Sequence, residues 1–372
     1  EKLDENNNKK LEKLKELETS RISAFKYANP QLLNDNRFEI IPTQLLFPRY
    51  KFLEYVSLNL EYMKHIFENI VSDEMTQFYD KIFRNYHIVY NNLFQVKANI
   101  EFIDTIHDLE KAGALKQIIN KINNELFELP TYNLFSSKTG RPYIISGPNW
   151  QQLSNKHKDI IKSQFDDGKI VEFDYNGCEI RACLYAINNL EAANTQIDVY
   201  DYIMSLLREK LSLDDIEKKK LKIFVIQNLY GASIDALMKI VELSRENVRD
   251  IQIILDELFK IKELVISIEN TKTSAGIKNL FNRQIYTDEH RIRILLQNFI
   301  QSTAADICHL GYGALVIYLL QNNLKSKVLY TKHDAIKLDV HPEEIDKIET
   351  FKEILQQTSL DNINFLVKTK ID

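Results

Sequence analysis

Little in this sequence breaks a helix. Its 372 residues include only nine glycines and seven prolines, too few for a collagen-like or low-complexity chain, and the length is that of about two or three domains. Cysteine is scarcer: Cys178, Cys183 and Cys308, with no Cys-x-x-Cys pair. That excludes a disulfide scaffold and a cysteine-built zinc site, and it fits a reducing compartment such as the cytoplasm. No apolar run reads as long enough to span a membrane, so no membrane partner is expected. The first ten residues, EKLDENNNKK, are charged where a secretory signal would be apolar, and without an initiating Met the chain reads as a processed or excised segment. An excess of one charge is also missing. The 53 acidic and 48 basic residues leave -5, so a polyanion must be met by a local basic surface rather than by the overall field. A Walker A loop, GxGxxG, HExxH and GxSxG are absent, which removes most hydrolase and dehydrogenase chemistries.

What is present is mostly helical periodicity. Leu11, Leu14 and Leu17 repeat at helical spacing, and from Lys51 to about Asn123 aromatic and aliphatic residues recur every three or four positions, so residues 1 to about 125 read as a long helical region. After Pro130, SSKTGRPYIISGPNW gathers Gly140, Pro142, Gly147 and Pro148 and must be loop or short strand. KIVEFDY (Lys169 to Tyr175) reads as a strand, followed by helices from about Cys178 to Asn188 and on to about Phe259. Within them LDDIEKKKLK places an acidic cap before a lysine run. A loop near Thr271 to Gly276 precedes a helix from Arg291 to about Leu320. VLYTKHDAIKLDV (Val328 to Val340) has β-rich flanks around a polar centre, the pattern of a tight hairpin with His333 and Asp334 at its turn.

Asp174 and Asp334 each fall at the end of an apolar strand, where an uncompensated carboxylate is unfavourable. Taken singly, each reads more simply as a helix cap or a turn former; taken together they supply the hard oxygens that magnesium ions need. Lys218, Lys222, Ile226 and Tyr230 step by four and form one slanted stripe of a helix that Gly231 would stop. Such a stripe could bind the phosphates of a nucleoside triphosphate at its lysine end, although a solvated basic face is the plainer reading in isolation. Arg141 sits in a TGR turn, and Arg293, Gln297 and Gln301 share a helix face, as residues reaching a nucleic-acid groove or as ordinary surface polarity.

The order of these elements adds what none supplies alone. TGR, PNWQQ, DYNGCEIR, KKKLKIFVIQNLYG, QNFIQSTAADI and KHDA resemble, in sequence and in order, the polymerase region of the DNA polymerase I family, family A. DYNGCEIR (Asp174 to Arg181) is similar to that family's motif A, DYSQIELR, and Lys218 to Gly231 is similar to motif B, with Lys218 where Arg is usual. QSTAADI resembles QGTAADL, and KHDA resembles the VHDE of motif C.

The resemblance implies an α+β, mostly helical, right-hand polymerase fold: helical thumb 1-125, palm 126-200 and 290-372 with an antiparallel sheet, and fingers 201-289. It implies that Asp174 and Asp334 meet to hold two Mg²⁺ ions and act in catalysis with Lys222. Nucleotide would be bound by Lys218, Lys222, Ile226, Tyr230 and Glu179, and primer-template DNA by Arg141, Asn149, Gln151, Arg293, Gln297, Gln301 and His333. The implied reaction is template-directed transfer from a dNTP to a primer 3' hydroxyl, carried out by a monomer with no exonuclease in this chain. Departures from the family pattern are Ile226 for an aromatic residue, Gln227 for Gly, Gln297 for Asn, Ala335 for Glu and one extra residue between Arg141 and Pro148. The alternatives are a single-subunit RNA polymerase, which has a small residue where Glu179 stands, and a non-catalytic nucleic-acid-binding protein derived from a polymerase.

Overall fold

The computed structural model describes residues 5–24, 49–69, 73–106, 113–134, 137–211, 216–270, 272–273, 276–287, 289–357 and 363–371. The acidic cap read at Asp214 and Asp215 lies outside these, as does part of the Thr271 to Gly276 loop. The chain forms two compact units, Glu1–Gln77 and Phe78–Asp372. In the first, helices Glu5–Ala24 and Arg49–Asn69 pack on one another, with Leu17 and Tyr55 buried.

The second unit carries every residue singled out for chemistry. Its strands in chain order are β1 (Lys97–Ala98), β2 (Ile122–Asn123), β3 (Leu126–Phe127), β4 (Thr131–Asn133), β5 (Tyr143–Ser146), β6 (Ile161–Lys162), β7 (Lys169–Tyr175), β8 (Gly276–Lys278), β9 (Gln284–Tyr286), β10 (Lys327–Lys332), β11 (Ala335–Val340) and β12 (Val367–Ile371). The central sheet has the order β10-β11-β7-β12 and is antiparallel throughout. Strand side chains alternate between faces: Val171, Phe173 and Tyr175 of β7 enter the main core, while Glu172 and Asp174 lie on the open face.

Helix Ile292–Gln321 lies in this core, with Leu296, Ile300, Ile307 and Leu315 buried. The expectation that no apolar run reaches membrane-spanning length needs correction, because this helix is long and apolar enough by length and composition. Ser302, Asp306 and His309 interrupt the run with polar side chains. Its most apolar stretch is 78% buried inside the fold, which is the setting of a core helix. A second correction concerns the region read as helical to about residue 125, since β1, β2 and β3 join β6 there in a small sheet. Two-residue strands are too short to display an alternating pattern. The lysine run forms helix Lys218–Leu229, which buries Leu221, Phe224, Val225 and Leu229 and turns Lys218 and Lys222 outward.

Candidate active site

Register brings the two aspartates together. Ala335 pairs with Asp174 across β11 and β7, so Asp334, one residue earlier in the hairpin turn, lies beside the end of β7. The Tyr175 N–H donates to the Asp334 carbonyl at 3.0 Å, and His333 takes a left-handed φ of 53° to close the turn. Burial pushes the Asp174 carboxyl up to about 6, and the neighbouring Asp334 charge pushes the same way against Lys370, whose Nζ is 3.7 Å from Asp174 Oδ2. Asp334 is raised as well, chiefly by burial. Two carboxylates that disfavour each other's charge are suited to a hard divalent cation. Among the described residues no three His, Cys, Asp or Glu side chains gather into a protein-only cage, so a cation here would fill its remaining positions with water or phosphate, as magnesium commonly does.

Between Asp174 and Glu179 the chain turns sharply. Gly177 has φ +59°, and a Cβ there would lie 2.5 Å from Val199 Cγ1, so the turn into helix Cys178–Ala186 needs glycine. Arg181 is fully buried and donates to the carbonyls of Asn176, Ala193, Thr195 and Ile197 at 2.7 to 2.9 Å, which fixes that helix. Glu179, in its first turn, accepts hydrogen bonds from Arg141 Nη2 and from the Tyr230 hydroxyl. One carboxylate thereby joins the TGR loop to the end of the lysine helix. The Tyr230 hydroxyl is pushed up by burial and by the Glu179 charge, so it stays a donor.

A cleft of about 970 Å³ is lined by Arg141, Asp174, Glu179, Lys218, Lys222, Ile226, Tyr230, Gln301, His333 and Asp334. Burial, then the charges of Arg141 and Lys332, hold the His333 imidazole below its ordinary range. Gln151 lines an adjoining cavity of about 90 Å³ with Arg141 and His333, and donates to the Pro142 carbonyl at 2.8 Å. The other three expected DNA-binding residues are not among the cleft's lining. Asn149 Oδ1 is buried without a hydrogen-bond partner among the described residues, Gln297 is half-buried one turn before Gln301, and exposed Arg293 donates to the Gly231 carbonyl. Lys222 stands 5.5 Å from the Tyr200 ring centroid. Lys218 is held by Asp201 at 2.8 Å and Asp198 at 3.2 Å.

Sequence reasoning missed Asp198, Tyr200 and Lys368, all of which line the cleft. Lys368 and Lys370 alternate in VKTKI, which signalled a strand with one charged face. It also missed the pair beneath the TGR loop. Fully buried Asp306 accepts from Arg283 Nη2 at 2.6 Å, the Tyr86 hydroxyl at 2.8 Å and Asn279 Nδ2 at 2.6 Å. Gly140, at φ +73°, rests directly on this guanidinium: a Cβ would lie 2.6 Å from Arg283 Cζ. The loop that carries Arg141 is therefore seated on a buried ion pair.

The architecture is that of a polymerase domain. The solved POL domain of Pol1 from M. smegmatis, in complex with DNA primer-template and dNTP, matches it with a TM-score of 0.60 at 16% identity, covering 80% of this chain and 64% of that one. The family model of DNA polymerase family A matches residues 65–372, and the chain belongs to that family. DNA polymerase I of Caldicellulosiruptor bescii is 24% identical over 252 residues, 61% of this chain and 29% of that protein. The DNA polymerase of Bacillus phage SP01 is 23% identical over 287 residues, 66% of this chain and 31% of that protein. The chain thus spans about a third of the length of these relatives.

Proposed function

We propose that this chain carries out template-directed DNA synthesis, transferring a nucleotidyl group from a dNTP to a primer 3' hydroxyl with release of pyrophosphate. The observation that carries the reading is the convergence of Asp174, Asp334 and Lys222, distant in sequence, on one cleft. Asp174 and Asp334 would hold magnesium, two ions by analogy with the family, and such ions neutralise triphosphate charge and lower the pKa of a bound hydroxyl. Lys222 and Lys218 bind the phosphates, and Ile226 packs against the incoming sugar. Glu179, locked by Tyr230 and Arg141, closes the space a ribose 2' hydroxyl would need. That locked carboxylate favours dNTPs over rNTPs and so favours a DNA polymerase over an RNA polymerase.

Arg141, Gln151, Gln301 and His333 face the primer terminus, where donors aimed at minor-groove acceptors test pair shape without reading sequence. Asn149, Arg293 and Gln297 reach the duplex from the flanks. The thumb is assigned to 1-125, a range that also holds the short strands β1 and β2, the palm to 126-200 and 290-372 and the fingers to 201-289, acting as a monomer on primer-template DNA. Primer extension with Mg²⁺ and dNTPs, run beside rNTPs, tests the reading: dNTP-dependent extension with rNTPs poorly used is expected, and no extension, or equal use of both, contradicts it.

A further inference from the structure

Of the lysines lining the cleft, one comes from the sheet itself. Lys368 pairs directly with Asp174 across β12 and β7, and opposed residues of antiparallel strands share a face, so Lys368 stands on the same open face as the aspartate. Lys370, two residues on, is engaged with Glu172 at 2.6 Å, whereas Lys368 lines the cleft with Lys218 and Lys222. Between Lys368 and Lys218 lies Asp198, whose Oδ2 accepts from both ammonium groups. Its side chain is only 9% exposed and is anchored independently, by the Tyr200 N–H at 2.9 Å and Asn176 Nδ2 at 2.8 Å. The two lysines are 47% and 44% exposed. A hydrogen-bonded carboxylate thus presets the spacing of two half-exposed cations from different elements. At the Asp198 end of the cleft Lys218, Lys219, Lys222 and Lys368 stand against Asp198 and Asp201, while Asp174, Asp334 and Glu179 make up the acidic end.

We propose that Lys368 is a further phosphate-binding residue, gripping the triphosphate tail and the leaving pyrophosphate together with Lys218, with Asp198 as the internal anion that phosphate displaces from both. This rests on reading the cleft as a nucleotidyl-transfer site. A phosphate oxygen is a stronger partner for an ammonium than a carboxylate already shared between two, because each lysine then gains its own charge-assisted bond. The arrangement makes the two partners act in opposite directions. Removing Lys368 takes away a phosphate contact; neutralising Asp198 takes away a competitor.

The test is equilibrium binding of magnesium pyrophosphate to the chain, with dNTP KM and kcat measured alongside. Lys368→Gln is expected to weaken pyrophosphate binding and raise KM by about tenfold, the scale of one lost charged hydrogen bond, with Lys368→Arg restoring most of it. Asp198→Asn is expected to tighten binding or leave it unchanged. The proposal is overturned if Lys368→Gln binds pyrophosphate within twofold of wild type, or if Asp198→Asn weakens binding as much as Lys368→Gln does, which is the signature of a structural strut. Should Lys368→Gln not fold, the acetylation rate of Lys368 in the wild-type chain, read by mass spectrometry with and without magnesium pyrophosphate, replaces it: protection supports the proposal and its absence overturns it. A wild-type chain that neither extends a primer nor binds pyrophosphate refutes the underlying reading, whereas one that does both with an indifferent Lys368 refutes this proposal alone.

Discussion

Asp174 holds its proton more tightly in the folded chain than in the unfolded one, about 6 against 3.8. A carboxyl raised in this way contributes stability below pH 4 and loses that contribution as pH rises through 6, because the fold must then bury a charge beside Asp334. The metal-free chain should therefore be less stable at pH 8 than at pH 5 on this group's account, by about 1 kcal/mol after solvent screening of a partly open side chain. Asp174→Asn should raise the melting temperature in EDTA at pH 8, and the gain should shrink to about half near pH 5 and vanish below pH 4. Magnesium should stabilise the wild type more than the variant. An Asn variant no more stable than wild type at pH 8 contradicts the electrostatic account. On the proposed function, two neighbours would set selectivity. Glu179→Ala, which removes the carboxylate joined to Tyr230 and Arg141, should admit rNTPs at some loss of dNTP turnover; an unchanged dNTP to rNTP ratio means the sugar is screened elsewhere. Ile226 is β-branched, stiff and without a hydroxyl, and it lines the cleft one turn beyond Lys222. Ile226→Tyr should lower dNTP to ddNTP selectivity by roughly tenfold, about 1.4 kcal/mol, in single-nucleotide incorporation. No change in that ratio would mean that Ile226 does not meet the sugar.

At the scale of elements, the buried Arg283–Asp306 pair decides how the TGR loop is held. Arg283→Met leaves Asp306 buried without its cation and should destabilise by about 3 to 5 kcal/mol in urea unfolding. Adding Asp306→Leu should recover part of that loss, because it removes the unpaired charge but also takes the acceptor from the Tyr86 hydroxyl and Asn279 Nδ2; a single variant within about 1 kcal/mol of wild type would show that the pair does not carry the loop. Nothing in sequence joins these two residues, because burial and pairing are properties of the packed fold. The site's own elements were more legible. Strand Lys169–Tyr175, the hairpin turn at His333 and Asp334, and the lysine helix follow from alternation, turn chemistry and a four-residue step, and the structure has them where those patterns put them. The sequence showed that Asp174 and Asp334 each end a strand; only β7–β11 register, or the family resemblance, brings them together. Lys368 escaped notice because its importance comes from pairing opposite Asp174, far away in the chain.

At the scale of the whole molecule, a chain of net charge -5 would, on the proposed function, meet a polyanionic substrate through a few lysines and arginines set around one acidic pair, so that specificity of position replaces bulk attraction. The central claim is that Asp174 and Asp334 act in the chemistry rather than in holding DNA. Single-turnover primer extension, on primer-template bound to saturation and at saturating Mg²⁺ and dNTP, compares the wild type with Asp174→Asn and Asp334→Asn most directly. Both variants should bind primer-template nearly as well as wild type, because the phosphate contacts are intact, yet extend it at least about a hundredfold more slowly. Extension within tenfold of wild type by either folded variant contradicts the assignment.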